Sequence, residues 1–502
     1  MLRFLAMTMF SLVLAACARG PDEAAMKTDV EAALATAFGE GTFKVVDFAR
    51  RGSAVDSTAA GGEVRRVAYY DVELELTRDL SLGDWDDPGA ATLVSLLGAG
   101  PRSIRGVKTG GNATGDRIVA HATAIYRDDG GKWSLVMSAG YHEAARPRAE
   151  TGAPQRPSRQ ALDRLAEITR TVEAGGSRVA QSVLDQELQR SVTRIAGRLT
   201  RIEQGYPLAA GRDRGEYAAF ASALAEVARQ GELRVVPLIT GGGEENLDML
   251  RNGSVLVALA QADTALAAYE GSGPFASDGA FASLRALGSL YPEYVHIVVR
   301  GDAGFGSAAD LKGARIAAGP AGSAVRDTLT RVLAAHGLEA GRDYQFADTR
   351  FGEALPALQR GEVDAAAHVV GLPVAALRDA LGGGSALKLL PLRTDAVQAL
   401  AADGRGQLAA TIPAGVYPGQ QAGVATVAVP ALLLTTESFD RDEAARLVRI
   451  VFEGGNDLLA HGSAQGSQVS ARTALRGLTV PLHPGARQAL EELQAAGQGP
   501  AR

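Results

Sequence analysis

Hydrophobic and polar positions divide the chain into stretches of different period. Phe4 to Ala16 is almost wholly apolar behind the single charge of Arg3. That run is too short for a bilayer span, which takes about 20 apolar residues. Val30, Ala33, Leu34 and Phe38 then recur at helical spacing. VRRVAYYDVELELT (64–77) alternates, with Tyr70, Val72, Leu74 and Leu76 on one face, and RIVAHATAIY and KWSLVMS predict two further strands. One helix followed by a mostly antiparallel sheet predicts a small α+β domain over 22–145.

Apolar positions thin out in ARPRAETGAPQRPSRQ (145–160), a linker by composition. Helical spacing resumes at Leu162, Leu165, Ile168 and Val172, breaks at Gly175-Gly176, and returns at Leu188, Val192, Ile195, Leu199 and Ile202. The seam is shorter than a coiled coil needs, so 146–204 reads as a linker and a helical spacer packed against its own neighbours. From 205 to 480 short β-branched strands alternate with alanine-rich helices: ELRVVPLI leads into TGGGEENLDMLRNG, SVLVALA into QADTALAAYEG, ARIAAG into PAGSAVRDTLTRVLAAHG. Repeated strand-then-helix units predict an α/β fold with parallel sheets covered by helices. Residues 481–502 read as a C-terminal tail.

Composition supports a globular chain of two or three domains, with 46% hydrophobic and 22% charged residues and 60 glycines among 502. A net charge of −6 without a basic stripe argues against nucleic acid as partner. The longest later apolar run, Val424 to Leu434, is broken by Thr426 and Pro430, so the chain past residue 17 is expected to be water-soluble.

The sole cysteine, Cys17, follows the apolar run directly. A charged start, an apolar run and small residues at a cut site make a secretory signal over 1–17. Leu14-Ala15-Ala16-Cys17 resembles a bacterial lipobox, in which the cysteine is acylated after cleavage and holds the protein to a membrane. The protein is then expected in the bacterial periplasm; Ala18 after the cysteine is compatible with sorting to the outer membrane, whereas a permease partner sits in the inner one, and the sequence leaves the choice of membrane open. With one cysteine the chain forms no internal disulfide.

Two loops invite a chemical reading. GVKTGGNATGD (106–116) lacks the strand-loop-helix setting and Lys-Ser/Thr of a phosphate loop, and reads as a β-hairpin connection. GDWDDPG (83–89) gathers three aspartates without the spacing of a calcium loop, and reads as a turn. No metal or cofactor is expected.

TGGGEENLDMLRNGSVLVALAQADTALAAYEG, LRALGSLYPEYVHIVVRGDAG, DLKGARIAAGPAGSAVRDTLTRVLAAHGL, EALPALQRGEVDAAAHVVGLPVAAL and TIPAGVYPGQQAGVATVAVPALLLT resemble, in order and spacing, the TAXI family of solute receptors of tripartite (TRAP) transporters. The resemblance implies a two-lobed type II periplasmic-binding-protein fold that closes on a small solute, working with membrane permease subunits and performing no covalent chemistry. It places Gly215, Glu216 and Tyr217, Gly242, Gly243 and Asn246, Gln261 and Asp263, and Gly322 and Ser323 along the cleft. Gly371 and Pro373 belong to a further family loop nearer the second lobe. Arg212 and Arg214 sit in the first loop, where a guanidinium can grip a carboxylate bidentately.

Physical reasons accompany the resemblance. Glycines admit a ligand to the backbone, and helices starting at Gly243 and Gly322 aim N–H groups at an anion. The family usually has serine at Gly243 and Ser-Gly-Thr at Ser323-Ala324-Val325, so two hydroxyls are missing here. Its characterised members bind acidic amino acids or other small organic acids, which sets the expected solute. The rival reading is a receptor-fold lipoprotein with a degenerate cleft, acting as an interaction or sensor module. An enzyme is disfavoured: there is no H-E-x-x-H, paired-cysteine spacing or G-x-S-x-G elbow.

Overall fold

The computed structural model describes residues 20–56, 59, 63–83, 85, 89–109, 111–138, 178–213, 215–321, 323–349, 352–382 and 387–497. Cys17 and the signal, the linker 146–177, the aspartates at 84, 86 and 87, and the predicted site residues Arg214 and Gly322 lie outside the described residues.

The N-terminal unit begins with α1 (Glu23–Phe38), capped by Asp22, whose carboxyl accepts the Ala25 N–H at 2.8 Å. Its buried residues Met26, Val30, Leu34 and Phe38 recur every four positions and face the sheet. The rest is β1 (Phe43–Val55), β2 (Arg65–Leu76), α2 (Ala90–Leu97), β3 (Ala99–Arg105), β4 (Arg117–Asp128) and β5 (Trp133–Ser138). The strands form one antiparallel sheet in the order β1-β2-β4-β3, with β5 also on β4. Tyr70, Val72, Leu74 and Leu76 are all buried, as the alternation predicts. The loop 106–116 joins the antiparallel neighbours β3 and β4. Gly106 opens it at φ 92, where an added Cβ would strike the Arg117 carbonyl.

A helix, α3 (Arg178–Gln204), leads to the larger unit. Leu199 on the predicted seam is 54% exposed, so that position is not packed as expected. The helix is fixed by charge instead: Arg201 pairs with buried Glu443 at 2.6 Å, and Glu443 also accepts the Tyr206 hydroxyl at 3.0 Å.

The larger unit runs β6 (Tyr206–Ala209), α4 (Glu216–Gln230), β7 (Val235–Leu238), α5 (Gly243–Arg251), β8 (Val257–Gln261), α6 (Ala262–Glu270) and β9 (Leu284–Arg300). There follow β10 (Arg315–Ala317), α7 (Ala324–Ala335), β11 (Gln345–Ala347), α8 (Ala354–Gln359), β12 (Ala365–Val370) and α9 (Ala375–Gly382). The chain ends with β13 (Leu387–Leu389), α10 (Thr394–Ala402), β14 (Leu408–Ile412), β15 (Val424–Thr436), α11 (Arg441–Glu453), α12 (Gly455–Ala460) and α13 (Pro484–Gly497). Its strands lie in the order β11-β10-β12-β9-β15-β8-β6-β7, with β13 on β9 and β14 on β15. Parallel β6–β8 build one lobe and parallel β10–β12 the other. The long strands β9 and β15 pair antiparallel and cross between them. This is the α/β architecture that the strand-then-helix texture predicts, arranged in the two lobes that the family resemblance implies.

One boundary needs correction. Residues from 481 are no tail, because α13 packs on α11 and buries Ala486, Ala489 and Leu490 in the core of the first lobe. The reason is a spacing of three and one among small apolar residues, enough to seal a core face between charged neighbours.

The N-terminal unit docks across the larger one. Trp85 donates its indole N–H to the Gln468 carbonyl at 3.2 Å, and its own carbonyl accepts the Tyr294 hydroxyl at 3.3 Å. Ser95 donates to the Val416 carbonyl at 3.3 Å in the second lobe, and Asn456 of the first accepts the Thr109 N–H at 2.7 Å. Leu459 completes the N-terminal core.

Candidate functional site

A cavity of about 350 Å³ lies between the lobes, where the parallel strands end and their helices begin. Open α/β sheets bind ligands at such ends. The first lobe supplies Gly211, Arg212, Gly215, Glu216 and Tyr217 after β6, Gly241 to Glu245 after β7, and Gln261 and Thr264 around the end of β8. Glu293 reaches it from the crossing strand β9. The second lobe closes it with Ser323, Ala324 and Val325 before and within α7 and with Ala367 to Val370 of β12.

Of the predicted residues, Arg212, Gly215, Glu216, Tyr217, Gly242, Gly243, Gln261 and Ser323 line the cavity. Gly242 precedes α5 at φ 124, a conformation that L side chains rarely adopt, so glycine here is a backbone requirement. Ser323 precedes α7 but does not cap it; its hydroxyl donates to the Ala318 carbonyl at 3.2 Å.

Four predicted residues do not line it, each for a reason the sequence conceals. Asn246 is wholly buried; its amide donates to the Ala210 and Leu259 carbonyls at 2.5 and 2.7 Å, tying the ends of β6 and β8 together. Asp263 turns away to the second lobe, accepting the Thr328 hydroxyl at 2.5 Å and pairing with Arg331. Gly371 donates its N–H to the carboxyl of the lining residue Glu216 at 2.9 Å but is not itself part of the lining. Pro373, two residues on and joined to Leu372 by a cis peptide bond, is likewise outside the lining.

Glu293 and His368 are lining residues that the motif reading missed. Glu293 stands in the apolar run LGSLYPEYVHIVV, where a lone carboxyl in a buried strand is itself the signal. It is 4% exposed and accepts the Gln261 amide N–H at 2.5 Å. Gln261 also donates to the Val369 carbonyl of the second lobe at 3.3 Å, so it bridges the cleft.

Electrostatics in the cavity are dominated by desolvated carboxyls. Burial pushes Glu216 up to about 8, against the Gly371 N–H that favours its charged form. Burial likewise pushes Glu293 well above the ordinary range, with Glu216 and Asp263 adding to the rise. Glu244 is raised to about 7 by burial and by Asp327, partly offset by the Ala324 N–H at the start of α7. Burial drives His368 down to about 4, so its imidazole is neutral at pH 7. Among the described residues, no three His, Cys, Asp or Glu side chains are grouped to hold a metal ion. No helix among them is long and apolar enough to cross a membrane.

Residues 208–493 match the NMT1-like family, a span covering more than half of the chain. Among solved structures, the periplasmic aliphatic sulphonate binding protein SsuA of Escherichia coli is 18% identical, over 57% of this chain and 83% of its own, with a TM-score of 0.35. The alkanesulfonate-binding protein SsuA of Xanthomonas axonopodis pv. citri, bound to MOPS, is 21% identical over 57% and 83%, with a TM-score of 0.30. A putative sulfonate-binding SsuA of Methylobacillus flagellatus is 12% identical over 58% and 95%, with a TM-score of 0.36.

Proposed function

The chain belongs to the NMT1-like family, and from that premise we propose that it is a periplasmic solute-binding receptor, anchored to a membrane through Cys17. It captures a small solute between its lobes and delivers it to the permease subunits of a transport system, of the TRAP type by its resemblance to TAXI receptors. The observation that carries this reading is the cavity between the lobes, spanned by the Gln261 bridge and walled by residues of both. Its volume suits a small molecule. Two lobes joined by crossing strands provide the hinge that such receptors use to close. Nucleic acid is no part of the reading, and the chemistry is binding alone.

Arg212 and the N-terminus of α5 speak for the organic anion that the resemblance implies. The carboxyls of Glu216, Glu244, Glu245 and Glu293 on the same walls speak against it. A second reading, an interaction or sensor lipoprotein without a solute, is favoured by one observation: Glu244 already meets the start of α7, a seat that an anionic ligand would take.

A thermal-shift screen of the full chain in detergent, across organic acids, sulfonates, amines and neutral solutes, tests the receptor reading. A ligand at a hundred times its dissociation constant adds about 2.7 kcal/mol. A shift with one class supports the receptor, and none across the panel supports the second reading. Membrane association of Cys17→Ser tests the anchor: the variant is expected in the soluble fraction, and unchanged membrane binding overturns the anchor.

A further inference from the structure

We infer that the cavity between the lobes takes a small organic cation, an amine or a guanidinium-type group, held by the carboxyls of Glu216, Glu244 and Glu293. The inference rests on the reading of this cavity as a solute site and names the class of solute.

Charge count is the first ground. The described lining residues include four carboxyl groups, Glu216, Glu244, Glu245 and Glu293, against one guanidinium, Arg212. Arg212 is partly committed to the protein, since its Nε donates to the Gly241 carbonyl at 3.1 Å. The second ground is placement. The three carboxyls of the proposed grip come from separate elements, the turn into α4, the first turn of α5 and the crossing strand β9, and they reach one cavity. A lone buried carboxyl is a cost to folding, and three around one cavity make sense when a ligand answers them. The third ground is the state of Glu244. Its Oε1 is buried and has no hydrogen-bond partner among the described residues, while its carboxyl meets the Ala324 N–H. The helix start that would draw an anion is thus occupied by the chain's own acid.

An organic ion suits these carboxyls better than a metal ion, because no three acidic groups among the described residues are close enough to share one. An extended cation with several N–H donors can meet them one at a time. Tyr217 adds an aromatic wall beside Glu293, a surface that attracts cations.

Burial favours the protonated form of each of these carboxyls, so a bound cation displaces protons. Each displaced proton leaves a carboxylate paired with the ligand and passes to the buffer. The groups facing Glu216 are Glu293, Tyr417 and the Gly371 N–H. Those facing Glu293 are Gln261, Tyr217, Glu216 and Asp263, and those facing Glu244 are Asp327, Asp248 and the Ala324 N–H. No cationic side chain is among these described groups, Arg212 standing elsewhere on the lining, so a cationic ligand would supply their counter-charge. Affinity for a cation therefore rises with pH below the carboxyl pKa values, by about tenfold per pH unit for each proton displaced.

The test is calorimetry on the full chain in detergent, at pH 6 and pH 8, with putrescine, agmatine and choline beside succinate, glutamate, taurine and glucose. Expected is binding of at least one of the three cations, tighter at pH 8, with an observed enthalpy that changes between phosphate and Tris as protons are released. Glu293→Gln and Glu216→Gln, both checked for a native melting transition, are expected to weaken it at least tenfold and to flatten its pH dependence. Binding of an acid or of glucose in place of the cations overturns the cation and leaves the receptor reading standing. Cation binding that neither pH nor the two variants alters also overturns it. No binding by any class overturns the cation and the receptor reading together.

Discussion

Gly371 at the end of β12 donates its backbone N–H to Oε2 of Glu216 at the start of α4, 2.9 Å away. One lobe is thus hydrogen-bonded to the other by a carboxyl that burial keeps protonated. Added bulk at Gly371 would meet that same oxygen and the Gln465 amide, so glycine is what the approach requires.

The link carries a pH signature. Glu216 titrates at about 8 when folded, against an ordinary 4.5. Between those values the folded chain binds more protons than the unfolded one, so stability falls as pH rises. The contribution is fully present below pH 4.5 and is lost as pH passes 8. Glu216→Gln keeps an acceptor for Gly371 but removes the titration. Its melting temperature is expected to decline less from pH 5 to pH 8.5 than that of the parent chain; parallel declines would contradict the protonated carboxyl.

Asp263 makes a further link between the lobes, to Thr328 and Arg331. Asp263→Asn removes the charge that Arg331 meets in a largely buried setting, and is expected to cost about 1–3 kcal/mol in denaturant unfolding. Because Asp263 does not line the cavity, the loss should appear as stability and not as a change in which solute binds. Asp263→Asn protein that switches solute class would return the residue to the site.

Legibility in the sequence followed the range of the cause. Helix α1, the face of β2 and the alternation of strand and helix were readable because local period decides them. Gly242 and Gly243 were readable as cavity-facing because a glycine run between a strand and a helix has few other uses. Asn246 and Asp263 were misplaced because a polar residue in a first helical turn looks the same whether it faces a ligand, ties two strands or bonds the far lobe. Glu293 escaped notice because its neighbours in sequence are all strand-core residues, and only the crossing of β9 between the lobes brings its carboxyl to Gln261.

Asn246 supplies a direct check on that distinction. Its two amide bonds satisfy the carbonyls of Ala210 and Leu259, and its Oδ1 accepts the Thr240 hydroxyl at 2.6 Å. Asn246→Ala leaves buried groups unpaired, at roughly 1–3 kcal/mol for each one left without a partner. Asn246→Asp should do no better, since it sets carboxylate oxygens against two carbonyls. Chemical denaturation is expected to show both variants markedly destabilised, whereas a mere solute contact would leave stability without ligand unchanged.

Trp85 joins the N-terminal unit to the two-lobed unit, so its indole reports on that junction. It is 5% exposed, bonded to the Gln468 carbonyl and overlain by the Arg476 guanidinium at 5.2 Å. Trp85→Phe keeps part of the ring contact and loses the N–H bond, which is worth about 1 kcal/mol net. Trp85→Ala also removes the large apolar surface that seats the unit, and aromatic truncations in cores cost about 3–5 kcal/mol. If the unit is held mainly at this point, Trp85→Ala should split a single melting transition into two, with the N-terminal unit and the two-lobed unit unfolding separately. Calorimetric melting of the parent, Trp85→Phe and Trp85→Ala proteins checks this. Retention of one cooperative transition in the alanine variant would shift the weight of the junction to the bonds of Ser95 and Thr109 and to Leu459.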